Sequence, residues 1–123
     1  MPKGLLEHVN ISVSDNRRMA ALLADMCGWK VRWEGPAAGG GHTIHIGSES
    51  NYIALYTAPR IVGGFVKGLP LNHVALEVDD LDGAEAVVKK AGLVPFNHAD
   101  YDPGRRFYFF DWDGIEWEVA SYE

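Results

Sequence analysis

Three residues of this chain have the types and positions to hold a metal: His8, His73 and Glu118. The two histidines are equivalents in an internal repeat. Leu6-Glu7-His8-Val9-Asn10-Ile11-Ser12-Val13-Ser14-Asp15 returns as Leu71-Asn72-His73-Val74-Ala75-Leu76-Glu77-Val78-Asp79-Asp80. Two neutral imidazoles and one carboxylate leave coordination positions open for substrate or water. This 2-His-1-carboxylate set suits Fe(II), and also Mn, Zn or Ni. An open metal position can polarise a carbonyl or enolate, activate water, or bind O₂. A single histidine on a strand is more often a hydrogen-bonding residue than a ligand; it is the equivalence of two that favours a metal.

The elements that must position these residues follow from periodicity. Residues 5–13 alternate as a half-buried strand. Residues 16–27 carry Met19, Leu22, Leu23 and Met26 at helical spacing, with Asp15 as N-cap and Gly28 just past the end. Strands are expected at 29–34, 42–47 and 51–57, with a glycine-rich loop over 35–41. The second half repeats this order: a strand at 71–79, a helix at 81–91 followed by Gly92, then strands at 93–97, 105–110 and 115–121. The expected fold is α+β, a single domain over 1–123. It is built of two βαβββ modules, about 1–57 and 71–123, joined by 58–70, that close on one core.

Strand parity assigns faces, because successive side chains point to opposite sides. Val9, Ile11 and Val13 oppose His8, Asn10 and Ser12, while Val74, Leu76 and Val78 oppose His73, Ala75 and Glu77. Ile115, Trp117 and Val119 oppose Glu116 and Glu118; Ile53 and Leu55 oppose Tyr52, Ala54 and Tyr56. Each apolar face should take a helix, and the polar faces are unusually rich in ligand-type residues.

Several neighbours could serve the same chemistry. Glu116 shares the parity of Glu118 and could act as a base; the plain alternative is a solvated edge carboxylate. Tyr52 and Tyr56 flank Ala54 and could donate to a bound oxygen, or be ordinary strand aromatics. His45 opposes Ile44 and Ile46, toward the polar side, as an acid–base candidate. Asn10 is a hydrogen-bonding candidate beside His8. Arg105 and Arg106 could receive an anionic group, against the plainer reading of solvated charges. His42 and His98 fall in or beside loops and receive no role, and Asp111 and Asp113 shape the last turn.

Composition excludes other classes. A net charge of −6 lacks the basic footprint that nucleic acid requires. Neither a signal-like N-terminus nor an apolar run of membrane-spanning length is present, so a cytoplasmic location is the default expectation. Cys27 is the only cysteine, which excludes an internal disulfide and a thiolate zinc cluster. The run Gly35-Pro36-Ala37-Ala38-Gly39-Gly40-Gly41 lacks the lysine of a phosphate loop. Gly63-Gly64-Phe65 in the connector could close over a ligand or merely bridge the modules.

The doubled module, a histidine on each first strand, and the ending Asp111-Trp112-Asp113-Gly114-Ile115-Glu116-Trp117-Glu118-Val119 resemble the vicinal oxygen chelate superfamily. That superfamily includes glyoxalase I, extradiol dioxygenases, fosfomycin-resistance enzymes and bleomycin-resistance proteins. The resemblance implies an incomplete U-shaped barrel with helices on its outer face, a divalent metal (Fe, Mn, Ni or Zn) on His8, His73 and Glu118, and a homodimer. Trp112 stands where the family usually has proline, and Ala54 where glyoxalase I has a fourth ligand, Glu. The leading expectation is therefore a metal-dependent enzyme on a small oxygen-bearing substrate, dioxygenase-like or lyase/isomerase-like. The alternatives are a glyoxalase I-like isomerase and a non-enzymatic bleomycin-resistance-like binding protein.

Overall fold

The computed structural model describes residues 2–60, 70–101 and 104–123. The elements run β1 (His8–Ser12), α1 (Asn16–Cys27), β2 (Lys30–Pro36), β3 (His42–Gly47), β4 (Tyr52–Thr57), β5 (Val74–Glu77), α2 (Leu81–Lys90), β6 (Phe96–Tyr101), β7 (Gly104–Phe110) and β8 (Glu116–Ser121). The chain divides into two compact units, one containing β1 to β4 and the other β5 to β8. Within the expected connector, positions 61–69, and with them Gly63-Gly64-Phe65, lie outside the described residues.

In the first unit a four-stranded sheet has the order β1-β4-β3-β2, with β1 and β4 parallel and the other pairs antiparallel. The register aligns Val9 with Ile53, Ile11 with Leu55, Ile44 with Leu55 and Ile46 with Ile53. These form one apolar face, of which Ile11, Ile44, Ile46, Ile53 and Leu55 are buried together with Met19, Leu22 and Leu23 of α1. Each such side chain contributes about 1.5–3 kcal/mol by leaving water. The Asp15 side chain caps α1 by accepting from the Arg18 N–H. Asn16 then ties the helix start to the sheet, its Nδ2 donating to the carbonyls of His42 and Leu55.

The second unit repeats the plan as β5-β8-β7-β6, with β5 and β8 parallel. Leu76, Phe107, Phe109, Trp117 and Val119 are buried on one face. Helix α2, with Leu81, Ala84 and Val88 buried, packs against β7 and β8. Each helix is followed by a left-handed glycine, Gly28 after α1 and Gly92 after α2.

Both helices stand where the periodicity placed them. The β6 strand does not: it begins at Phe96 rather than Leu93 and runs on to Tyr101, so His98 lies inside a strand and not in a loop. Pro95, without an N–H, cannot join the ladder, and Asn97 at φ 56° makes a bulge between Phe96 and Ala99.

Candidate functional site

In the second unit the polar face of β8 carries Glu116 and Glu118, only 7% and 8% exposed. Glu118 pairs with Ala75 on β5 and with Tyr108 on β7. His73 enters β5 one residue before Val74, and its Nε2 lies 3.0 Å from Glu118 Oε1. Its Nδ1 lies 2.8 Å from Asn72 Oδ1 and 4.0 Å from Glu116 Oε2. An amide oxygen can only accept, so Nδ1 donates there, and Nε2 is the nitrogen that faces the carboxylate oxygen. A nitrogen and a carboxylate oxygen at that separation are bridged by a proton or by a metal.

The other Glu118 oxygen, Oε2, accepts from Arg106 NH1 at 3.0 Å. Arg106 is nearly buried, with its guanidinium 4.8 Å from the Tyr101 ring centroid. Its Nε is buried without an acceptor among the described residues. Arg105, by contrast, is an exposed charge 3.4 Å from Asp82. Tyr108 sits beside the carboxylate, its phenol pushed up first by burial and then by the Glu118 charge.

The first unit has the same frame with other side chains. His8 Nδ1 lies 2.9 Å from Glu7 Oε1, so both histidines are held at Nδ1 by the side chain of the preceding residue. A fixed Nδ1–H leaves Nε2 as the ligating nitrogen, the usual arrangement of metal-binding histidine. Asn10, Ala54, His45 and Trp33 form one row across the sheet, as Ala75, Glu118, Tyr108 and Phe96 do in the other. Ala54 thus occupies the repeat position of Glu118 and offers no donor atom.

Around it the aromatic rings gather. Tyr52 stacks on His8 at 4.8 Å and on His45 at 4.7 Å, and Arg32 lies 4.4 Å over the Tyr52 ring. Trp33 lies 5.1 Å from His45. Burial first, then the positive charges of His8 and Arg32, hold the His45 imidazole below its ordinary range, against the pull of Glu7. Tyr56 is engaged elsewhere: its hydroxyl donates to the Gly40 carbonyl at 3.0 Å. The loop this secures needs Gly41, at φ +86°, where a Cβ would collide with the Thr57 carbonyl.

The structure therefore brings His73, Glu118, Glu116 and Arg106 together in one unit, and His8, Tyr52 and His45 in the other. No three His, Cys, Asp or Glu side chains converge to hold a metal among the described residues. Sequence reading missed Arg32, Trp33, Asn72 and Tyr108. Tyr108 was recoverable from its pairing with Glu118. Arg32 was not, because a bulge between Val31 and Trp33 breaks the parity of β2. His42 and His98, unassigned by sequence, pair with Glu34 and Glu85 at 3.3 and 2.8 Å.

Residues 5–119 match the Glyoxalase/Bleomycin resistance protein/Dioxygenase superfamily. The chain belongs to that superfamily. Solved members of similar fold include a glyoxylase/bleomycin resistance protein/dioxygenase domain from Frankia sp. EAN1pec, 22% identical with a TM-score of 0.80 and covering 98% of each chain. The fosfomycin resistance protein FosX from Mesorhizobium loti is 23% identical with a TM-score of 0.68, over 98% of this chain and 93% of that one. FosX from Listeria monocytogenes, complexed with Mn(II) and sulfate, is 17% identical with a TM-score of 0.72 over the same shares. These likenesses establish the superfamily's α+β fold of two open, mixed four-stranded sheets with two helices. No curated protein matches the sequence. Among the described residues no helix is long and apolar enough to cross a membrane.

Proposed function

We propose that this superfamily member binds a divalent metal through His73 and Glu118, with His8 as the third ligand expected from the repeat, and acts on a small oxygen-bearing molecule. The observation that carries the reading is the 3.0 Å approach of His73 Nε2 to Glu118 Oε1, with Nδ1 already committed to Asn72. This donor pair fits a metal: imidazole nitrogen and carboxylate oxygen suit Fe, Mn, Ni or Zn. The charge also fits, since two buried carboxylates, Glu116 and Glu118, lie beside His73. A bound metal would act as a Lewis acid on substrate oxygens.

The chain's own residues do the rest. Glu116 and His45, the latter kept neutral by its surroundings, are the proposed proton acceptors, with Tyr56 as a further acid–base candidate. Asn10, Tyr52 and Arg106 are the proposed substrate contacts; the orphaned Nε–H of Arg106 has a donor left for a substrate oxygen. The fold is taken as one domain of two modules and the protein as a cytoplasmic homodimer. The reaction follows the dioxygenase-like or lyase/isomerase-like chemistry of such metals, and the Mn(II)-bound FosX structures make fosfomycin a substrate to include in screening. A glyoxalase I-like isomerase is disfavoured by the donorless Ala54.

One observation favours a second reading, a bleomycin-resistance-like binding protein. The stack of His8, Tyr52, His45 and half-exposed Trp33 offers flat surfaces to an aromatic ligand. Elemental analysis of the chelator-free protein decides between the two. We expect near-stoichiometric metal in the wild type, lost in His8→Ala, His73→Ala and Glu118→Ala with the fold intact by circular dichroism. A wild type that stays metal-free after anaerobic reconstitution with Fe(II), Mn(II), Ni(II) and Zn(II) would refute the metal reading and leave the binding protein.

A further inference from the structure

We infer that Arg106 is a positioning residue that makes Glu118 a single-oxygen donor. This rests on the metal reading of His73 and Glu118. An arginine facing a carboxylate normally takes both oxygens in a two-pronged fork. Here the fork is not used. Only NH1 touches Glu118, at Oε2, while Oε1 stays turned to His73 Nε2, each contact 3.0 Å. The carboxylate is held with one oxygen toward His73 and the other on Arg106, the Tyr108 phenol beside it, and it cannot rotate without losing one of the first two contacts.

The backbone sets this geometry. Arg106 pairs with Ala120 across the ladder, two residues along the strands from the Tyr108–Glu118 pair, so it reaches Glu118 diagonally on the same face. Both ladder neighbours of Arg106 are small, Ala120 on β8 and Ala99 on β6, which leaves room for the guanidinium to lean toward Glu118. Tyr101 then bounds it from the other side, its ring centroid 4.8 Å from the guanidinium carbon. Both members of the pair keep only 12% and 11% side-chain exposure.

Without Arg106, the Oε2 side of Glu118 is left to Tyr108 alone, and a bound metal would lose a donor fixed in advance. Outer partners of this kind carry ~10- to 100-fold in metal affinity. A purely electrostatic role has the opposite sign, because removing a cation beside the site would tighten binding of a divalent ion. Mn(II) titration followed by electron paramagnetic resonance, on wild type, Arg106→Met, Arg106→Lys and Tyr101→Leu, separates the two.

We expect Arg106→Met to weaken Mn(II) binding ~10-fold or more, with Arg106→Lys recovering only part because ammonium is a point charge without the planar fork. Tyr101→Leu, which keeps the guanidinium and removes its ring, should weaken binding ~2- to 5-fold and keeps the test valid if Arg106→Met fails to fold. Unchanged or tighter Mn(II) binding in folded Arg106→Met overturns the positioning role while leaving the metal reading in place. A wild type that binds no Mn(II), Fe(II), Ni(II) or Zn(II) overturns both.

Discussion

Asp111 opens the turn that sets β8 in register, and its loss should be felt throughout the second unit. Its side chain is 6% exposed. Oδ1 accepts from the Asp113 and Ile115 N–H groups at 2.9 and 3.0 Å, and Oδ2 from the Trp117 indole at 2.9 Å. Asp111→Ala therefore strands three donors, and at ~1–1.5 kcal/mol per net hydrogen bond the loss is about 3–4 kcal/mol. That is a large part of the ~5–15 kcal/mol that holds a domain together. Asp111→Asn keeps an oxygen for the two backbone N–H groups but sets an NH₂ against the indole N–H. It should cost ~1–2 kcal/mol, part of the penalty being offset because no charge is buried. Urea unfolding, followed by indole fluorescence and far-UV circular dichroism, measures both. The pH dependence gives a second check. Burial, against the three hydrogen bonds, pushes the Asp111 carboxyl above its ordinary range. A group raised on folding contributes stability that is complete in acid and lost as pH rises through the folded value. The gap between wild type and Asp111→Asn should thus widen in acid and narrow toward neutrality. An Asp111→Ala protein within about 0.5 kcal/mol of wild type, the range of ordinary surface changes, would refute the reasoning.

Two further outcomes are expected. Gly28 caps α1 at φ 68° with open space around it, so Gly28→Ala meets only backbone strain and should cost ~1 kcal/mol by thermal unfolding, with no change at all counting against the cap. His45 is depressed by burial first and by His8 and Arg32 next, so its contribution is complete above about pH 6.5 and lost as pH falls through the folded value. His45→Gln should flatten that acid limb in urea midpoints measured against pH, and an unchanged slope would remove His45 as its cause.

The helices were legible because local signals agreed: an apolar stripe and a following glycine at each, and Asp15 as a cap before α1; the Asp80 cap of α2 came from the structure. The faces of β1, β4, β5 and β8 were legible because a strand keeps its period of two. Where the period breaks, the sequence was silent. At Arg32 and Asn97 one extra residue shifts everything beyond it, and no composition announces a bulge in advance. The two candidate histidines were visible through the repeat and Glu118 through strand parity and the resemblance of the chain's ending, but the contact of Arg106 with Glu118 was not. Its neighbour Arg105 carries the same charge in the sequence, and only the fold separates an exposed Arg105 from a nearly buried Arg106 that reaches Glu118.

β8, last in chain order, lies inside its sheet between β5 and β7. Until it inserts, β5 lacks its ladder neighbour and His73 has no carboxylate to face, although the two residues stand 45 positions apart. Loop closure on that scale costs entropy before any contact repays it, which places the parallel β5–β8 pairing late in folding. A nascent second unit therefore carries its histidine well before it owns a site. Any ligand held by His73 and Glu118 together draws on that final insertion, and returns its binding energy as resistance of the last strand to being pulled out.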